Sequence, residues 1–368
     1  MKKWISLLLC VCMVFGAVSC QPKELDVTES DGARNAVTGP LSDYIVMKEN
    51  TAYVFRGAED TFADYVYYVE YASDGYLQRR LVAGDESIAE VFRFTDTSLT
   101  LVYSENRFLR HEDLTGREEL LSIEWIGAPL KKGAKWTSVD QPSGDISTAS
   151  VTAVDVEITV PYGTFKTIEV TKTFSDDPDF ISKEYYAKGV GLVKEMSISG
   201  ERVVASELAE VHENVAFNST IPLFYMEDGE RVYEAFEIPY TTNINILETY
   251  NSIFPQFFAA KFGVEEALLQ ITGYVVDYAE YANPVLTLEF TDAFAFISPE
   301  PDMIRCMVDT FAYVFGMGEV RFRASGMRLR YNGVEADEEA IMMYTPLPNA
   351  EAGDSEADIV DGADAAGE

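Results

Sequence analysis

The sequence predicts two domains: an N-terminal all-β domain (an antiparallel meander or open barrel, or a sandwich) and a C-terminal α+β domain. Three observations carry this reading. From Tyr44 to about Val211, short apolar-alternating runs follow one another, each bounded by Gly, Asp, Asn or Thr, with no convincing helical period. Beyond "VHENVAFNST" the period changes, and "NINILETYNSIF" and "MIRCMVDTFAYVF" carry apolar residues at helical spacing between strand-like runs. At 368 residues the chain is also too long for one ordinary core.

The N-terminal elements follow in order. "DYVYYVEYASDGYLQRRLV" is two runs separated by Ser73-Asp74-Gly75, a hairpin signal. "SIAEVFRF", "SLTLVY" and "LLSIEW" come next. In "VTAVDVEITV", Val154, Val156, Ile158 and Val160 point one way and Asp155, Glu157 and Thr159 the other. "GTFKTIEVTKTF", "FISKEYYA" and "VGLVKEMSIS" bring the total to about ten strands in a domain spanning 44–212.

The C-terminal domain is expected over 218–345. "IPLFYMEDGERVYEAFEIPY" reads as a hairpin turning at Asp228-Gly229. A helix over "NINILETYNSIF" is expected to stop at Pro255, and a second helical segment lies near "EEALLQ". "ITGYVVDYAEY" and "VLTLEF" flank Ala282-Asn283-Pro284 as another hairpin. A helix then runs through Met303, Met307, Phe311 and Phe315 to Gly316, and a strand alternates Val320, Phe322 and Ala324 with charged neighbours. The order is β-β-α-β-β-α-β.

The ends differ from the body. Lys2 and Lys3 precede an uncharged apolar run and then "GAVSC", the order of a secretory leader over 1–19 and too short for a membrane span. "AVSC" resembles a bacterial lipobox, which makes Cys20 the lipid-modified first residue of the mature chain and the outer face of the cell membrane its location. Residues 20–43 read as a flexible tether, and the acidic "NAEAGDSEADIVDGADAAGE" over 349–368 as a disordered tail. A formal charge of −34 argues against nucleic acid or anionic lipid as a partner, so lipid rather than protein charge is expected to hold the chain at the membrane.

The hairpin "LFYMEDGERVYEAFEI", the strand "VLTLEFTDAF" and "MIRCMVDTFAYVFGMGEVRFRASG" together resemble a GerMN domain of bacterial sporulation and germination proteins. "APLKKGAKWT", "VEITVPYGTFKTIEVTKTF" and "EYYAKGVGLVKEM" are similar to the all-β region that precedes this domain in clostridial-type lipoproteins. The resemblance implies an envelope scaffold without enzymatic activity. Its tandem-domain members look like ring-building modules, and this chain has a single such domain.

Candidate chemistry is sparse. Cys306 sits beside the apolar stripe of its helix, without neighbouring metal ligands or a base, and reads as a core residue. His111 lies in the charged stretch "RFLRHEDLTGREE" and reads as solvated; His212 stands at the domain junction and reads as a packing residue. Asp176, Asp177 and Asp179 in "SDDPDF" fit a turn better than a calcium loop. No catalytic residue, metal or cofactor is expected. Two surfaces remain. Tyr65, Tyr67, Tyr68, Tyr71 and Tyr76 crowd one hairpin and could stack on sugars, which gives a glycan- or peptidoglycan-binding alternative. Arg321, Arg323, Arg328 and Arg330 alternate along the last strand and its continuation, a possible docking stripe for an acidic envelope partner, a second copy or the chain's own tail.

Overall fold

The structure, a computed structural model, describes residues 39–58, 63–84, 86–139, 144–278 and 283–346. The leader, Cys20, most of the tether and the acidic tail lie outside them. The described residues form two compact units, one of 39–106 with 113–215 and one of 107–112 with 216–346. The stretch Arg107–Glu112 thus belongs to the second unit, although a boundary near 212 leaves it in the first.

Unit 1 is all-β, with twelve strands where about ten were expected: β1 (Thr51–Gly57), β2 (Tyr65–Ser73), β3 (Tyr76–Ala83), β4 (Glu86–Phe94), β5 (Ser98–Asn106), β6 (Ile123–Gly127), β7 (Lys135–Val139), β8 (Ile146–Val160), β9 (Gly163–Phe174), β10 (Phe180–Ala187), β11 (Gly191–Ser199) and β12 (Arg202–Glu213). Their order in one antiparallel sheet is β6-β5-β4-β3-β2-β1-β12-β11-β10-β9-β8-β7, so two six-strand meanders are joined through β1 and β12. The two edges nearly close a barrel. Across the seam, Trp136 Nε1 donates to the Glu124 carbonyl at 2.9 Å, and Glu124 N donates to Ser138 Oγ at 2.8 Å.

Turn chemistry sets the register. Asp74 and Gly75 both take positive φ (50° and 82°), the conformation that matches the twist of a two-residue hairpin. In β8 the expected set Val154, Val156, Ile158 and Val160 is buried, but before it Ala149, Val151 and Ala153 are buried on the opposite parity. Irregular pairing between Val151 and Val156 and a positive φ at Asp155 (56°) account for the switch. Strand β4 is buried on both faces. Part of the outer cover is the chain beyond residue 113: Leu114 N donates to Gln78 Oε1 at 2.7 Å, and Leu121 N to the Val102 carbonyl at 2.9 Å. Packing also begins earlier than a tether to residue 43 allows, because Leu41 is 1% exposed and belongs to the core.

Unit 2 contains β13 (Phe217–Glu227), β14 (Glu230–Tyr240), α1 (Ile246–Phe262), β15 (Ile271–Asp277), β16 (Val285–Phe290), α2 (Pro301–Phe315), β17 (Glu319–Ala324), β18 (Met327–Arg328) and β19 (Ile341–Met343). Strands β13 and β14 pair as a hairpin through Asp228-Gly229, and β15-β16-β17 form a sheet in which β16 and β17 run parallel around α2. Pro255 does not stop α1; the helix continues to Phe262. The missing N–H leaves one carbonyl without its helical bond, but burial of Tyr250, Phe254, Phe257 and Phe258 outweighs that loss. The segment near "EEALLQ" forms only a 3-10 turn, Glu266–Leu269. Helix α2 ends as its sequence predicts: Gly316 takes φ 68°, its N–H bonds to the Tyr313 carbonyl at 3.0 Å, and Met317 N bonds to the Ala312 carbonyl at 2.8 Å.

Candidate functional site in the barrel interior

Strand alternation places charged residues inside unit 1. Arg79 on β3 pairs in register with Glu90 on β4, and its Nε donates to Glu90 Oε2 at 2.7 Å. The guanidinium lies 3.9 Å from the ring centre of Tyr67 and 4.6 Å from that of Phe92, both core residues, which fixes its direction as inward. From the opposite wall, Lys172 Nζ sits 3.8 Å from the Trp125 ring centre and donates to Glu184 Oε1 at 2.6 Å. Tyr186 donates to the other oxygen of Glu184 at 2.6 Å and accepts from Trp125 Nε1 at 3.2 Å. Glu195, opposite Glu184 in the β10–β11 ladder, accepts from the Tyr65 hydroxyl at 3.2 Å.

This interior shifts its own acids. Burial, reinforced by the Glu184 charge, pushes Glu195 up to about 7, against the pull of Lys172, the Tyr65 hydroxyl and Arg79. Burial also holds Tyr65, Tyr67 and Tyr186 well above the usual phenol range. Arg79 Nη2 and Glu90 Oε1 are buried without a hydrogen-bond partner. The cluster therefore offers ion pairs, rings and unmet polar atoms.

The outer wall carries its own pairs. Arg80, fully buried, donates to Glu70 Oε1 from Nε at 2.8 Å and from Nη2 at 2.6 Å. Burial pushes Glu169 upward, but hydrogen bonds from Thr152 and Tyr185 and the charge of Lys183 more than offset it, so its carboxyl ends below the usual range.

The residues singled out from the sequence fall in several places. Cys20 lies outside the described residues. Arg321 is 6% exposed rather than outward-facing, because the chain beyond β18 covers that side of β17: its Nε donates to the Glu339 carbonyl at 3.0 Å. Arg323 donates to the Gly326 carbonyl at 2.8 Å and lies 3.6 Å from Glu289. Arg328 pairs with Glu339, and Arg330 bonds the Asp337 carbonyl. All four arginines thus have partners within unit 2. The five tyrosines do not form one exposed platform either; Tyr65 and Tyr67 point into the barrel, and Tyr68 is buried with its hydroxyl on the Val215 carbonyl at 2.8 Å.

Cys306 is 0% exposed, and burial pushes its thiol up to about 12. His111 is 3% exposed rather than solvated: its ring stacks on Tyr240 at 4.0 Å, and Nε2 lies 3.0 Å from Ser219 Oγ. His212 is a partly exposed member of β12, 2.9 Å from Glu210. Among the described residues no group of three or more His, Cys, Asp or Glu is arranged to hold a metal ion, and no helix is long and apolar enough to cross a membrane.

The barrel cluster escaped the sequence reading. Its signal was polar residues on the inward phase of strands: Arg79 shares parity with Leu77 and Leu81, and Glu90 with Ile88 and Phe92.

No protein-family model and no curated protein matches the chain. Two solved structures are similar at low level. One, described as a "putative exported protein with YmcC-like fold" from Bacteroides fragilis NCTC 9343, is 11% identical over 46% of this chain and 99% of its own, with a TM-score of 0.28. The other, a "putative lipoprotein" from Parabacteroides distasonis ATCC 8503, is 12% identical over 46% and 98%, with a TM-score of 0.27.

Proposed function

We propose that the protein is a non-catalytic, lipid-anchored component of the bacterial cell envelope that works by protein contact through unit 2. That unit is read as a GerMN-type domain, with sporulation or germination complexes as its setting. The observation carrying the contact role is apolar exposure. Phe296 is 86% exposed, and Val275 on β15, Met327 on β18 and Met343 on β19 also stand in solvent. Met327 and Met343 belong to short strands along the same edge of β17. Exposed apolar area marks a contact surface where it is contiguous, and the edge of β17 that carries Met327 and Met343 is the part of unit 2 we assign to a partner. The glycan-binding alternative loses its main support, since the tyrosine hairpin turns much of its aromatic area inward.

Photo-crosslinking in intact cells tests this reading. A crosslinker at Phe296 or Met343 should capture a defined envelope protein or a second copy, whereas one at exposed Glu157 on β8 should not. Equal capture at all three positions would remove the contact role. The anchor has its own test: Cys20→Ala should move the mature protein from membranes to the soluble fraction.

A further inference from the structure

We propose that the free edge of β14 pairs antiparallel with the same edge of a second copy of the chain, centred on Glu234, to give one sheet in the order β13-β14-β14-β13. This contact is separate from the edge of β17 assigned above to a partner and does not depend on it.

Strand β14 has β13 on one side and, among the described residues, no strand on the other. Its pairing shows which backbone groups face that open side. Phe224 on β13 stands opposite Tyr233, yet it donates its N–H to Thr310 Oγ1 on α2 at 3.0 Å, away from β14. Phe224 and Tyr233 therefore exchange no ladder bonds, and by alternation Arg231, Tyr233, Ala235 and Glu237 turn their N–H and C=O groups outward. Pro222 and Pro239 fall on these same phases, where a missing N–H costs the hairpin no bond. Tyr233 is 46% exposed, and Ala235 and Glu237 are exposed as well. The edge from Arg231 to Glu237 is thus open to another strand.

This edge is complementary to itself in one register. With Glu234 at the centre, Tyr233 meets the second copy's Ala235, Arg231 meets Glu237, and Val232 meets Phe236. The last pair lies on the face that packs on α1, where the Phe236 and Phe257 ring centres are 5.8 Å apart. Centring on Tyr233 would set Val232 against Glu234, and centring on Ala235 would set Phe236 against Glu234, an acid opposite an apolar residue in both cases. At the axis the two Glu234 carboxylates face each other, but each arrives with its own Lys261, which donates to it from the last turn of α1. The axis therefore holds a balanced set of charges rather than a repulsive pair. Arg231 keeps its pairing with Asp309 in its own chain, so its attraction to the second copy's Glu237 is the weaker contribution.

Sedimentation velocity of the full mature chain measures the association. Each copy is strongly acidic, so the dimer should be favoured as salt rises from about 0.05 to about 0.3 M and screens the repulsion. Ala235→Pro removes one outward donor from each copy and no bond within the hairpin, so it should weaken the dimer at least about tenfold. Disulfide trapping reads the register without relying on that variant. Residues in a bonded antiparallel pair lie about 5.5 Å apart at Cα, within disulfide reach. Cys306 is buried, and Cys20→Ala removes the other native thiol of the mature chain. In that background a mixture of Tyr233→Cys and Ala235→Cys chains should crosslink to one another, and neither chain alone should crosslink to itself. Three results would each overturn the contact: wild type monomeric at every salt concentration, a dimer that Ala235→Pro leaves intact, or trapping no greater in the mixture than in either chain alone.

Discussion

Glu184 and Glu195 stand directly opposite one another on β10 and β11, two carboxylates sharing the interior of one barrel. Burial first and the Glu184 charge second raise the Glu195 carboxyl above its usual range, while Lys172 is bonded to Glu184.

The first prediction is a pH dependence of stability. Burial and Glu184 raise the folded value of Glu195 from 4.5 to about 7, so the folded chain holds this proton more tightly than the unfolded chain. That contribution is complete below about pH 4.5 and is lost as the pH rises through about 7. Glu195→Gln should therefore stabilise unit 1 at pH 8, by up to about 3 kcal/mol, and flatten the slope between these limits. Urea denaturation at pH 5 and pH 8 measures both effects. An equal change at the two pH values would show that Glu195 is not the group concerned.

Arg79 and Glu90 form the second test. Removing one partner of a buried ion pair leaves an uncompensated charge, so Arg79→Met and Glu90→Leu should each cost about 3–5 kcal/mol. The double variant should cost less than the sum, because it leaves no stranded charge. Additive losses in a double-mutant cycle would mean that the charges do not depend on one another.

Much of the fold was legible because local rules decide it. Hairpins at Asp74-Gly75 and Asp228-Gly229, the end of α2 at Gly316 and the buried phase of Val154 to Val160 each follow from residue type and spacing. What escaped notice was long-range. Pro255 breaks a helix locally, yet four aromatic residues around it have a core to enter. The surroundings of Arg79 are set by Tyr67, Phe92 and Trp125 from three other strands, and no local window contains them. His111 and Arg321 looked solvated because their neighbours in sequence are charged; their neighbours in space, Tyr240 and Glu339, are distant along the chain.

Gly316 carries the third prediction. Its φ of 68° is the left-handed conformation, and an added Cβ would meet the Arg107 carbonyl oxygen inside unit 2. Gly316→Ala should cost more than the ~1 kcal/mol of a simple helix-capping glycine, because backbone strain and a backbone contact add. Thermal unfolding read by near-ultraviolet circular dichroism reports it. A change within error would show that residues 107–112 give way freely.

Cys306 has no exposure, and its thiol is pushed up to about 12 by burial first and Asp309 second. It should resist thiol reagents in the native protein at pH 8 and react fully in urea. Cys306→Ser should lower stability by about 1–3 kcal/mol through a buried hydroxyl, while leaving envelope contacts unchanged. Rapid labelling of the native protein would place the thiol outside the core.

The arginines of β17 provide the last prediction. Read from alternation alone, Arg321 and Arg323 are equivalent, and reversing either would spare the fold. The structure separates them. Arg321 is 6% exposed and spends its Nε on the Glu339 carbonyl, so Arg321→Glu would place an acid in a covered position beside an unmet carbonyl. Arg323 is more exposed and its nearest acid, Glu289, lies 3.6 Å away, a contact of small energetic weight. Arg321→Glu should thus destabilise unit 2 by about 2–4 kcal/mol, and Arg323→Glu by less than about 1 kcal/mol. Only Arg323→Glu then tests docking to an acidic partner: it should slow association and weaken its salt dependence while the melting temperature holds. If both reversals leave stability unchanged, the segment carrying Glu339 does not cover β17 in solution. If Arg323→Glu leaves association rates unchanged at low salt, that arginine serves only its own loop.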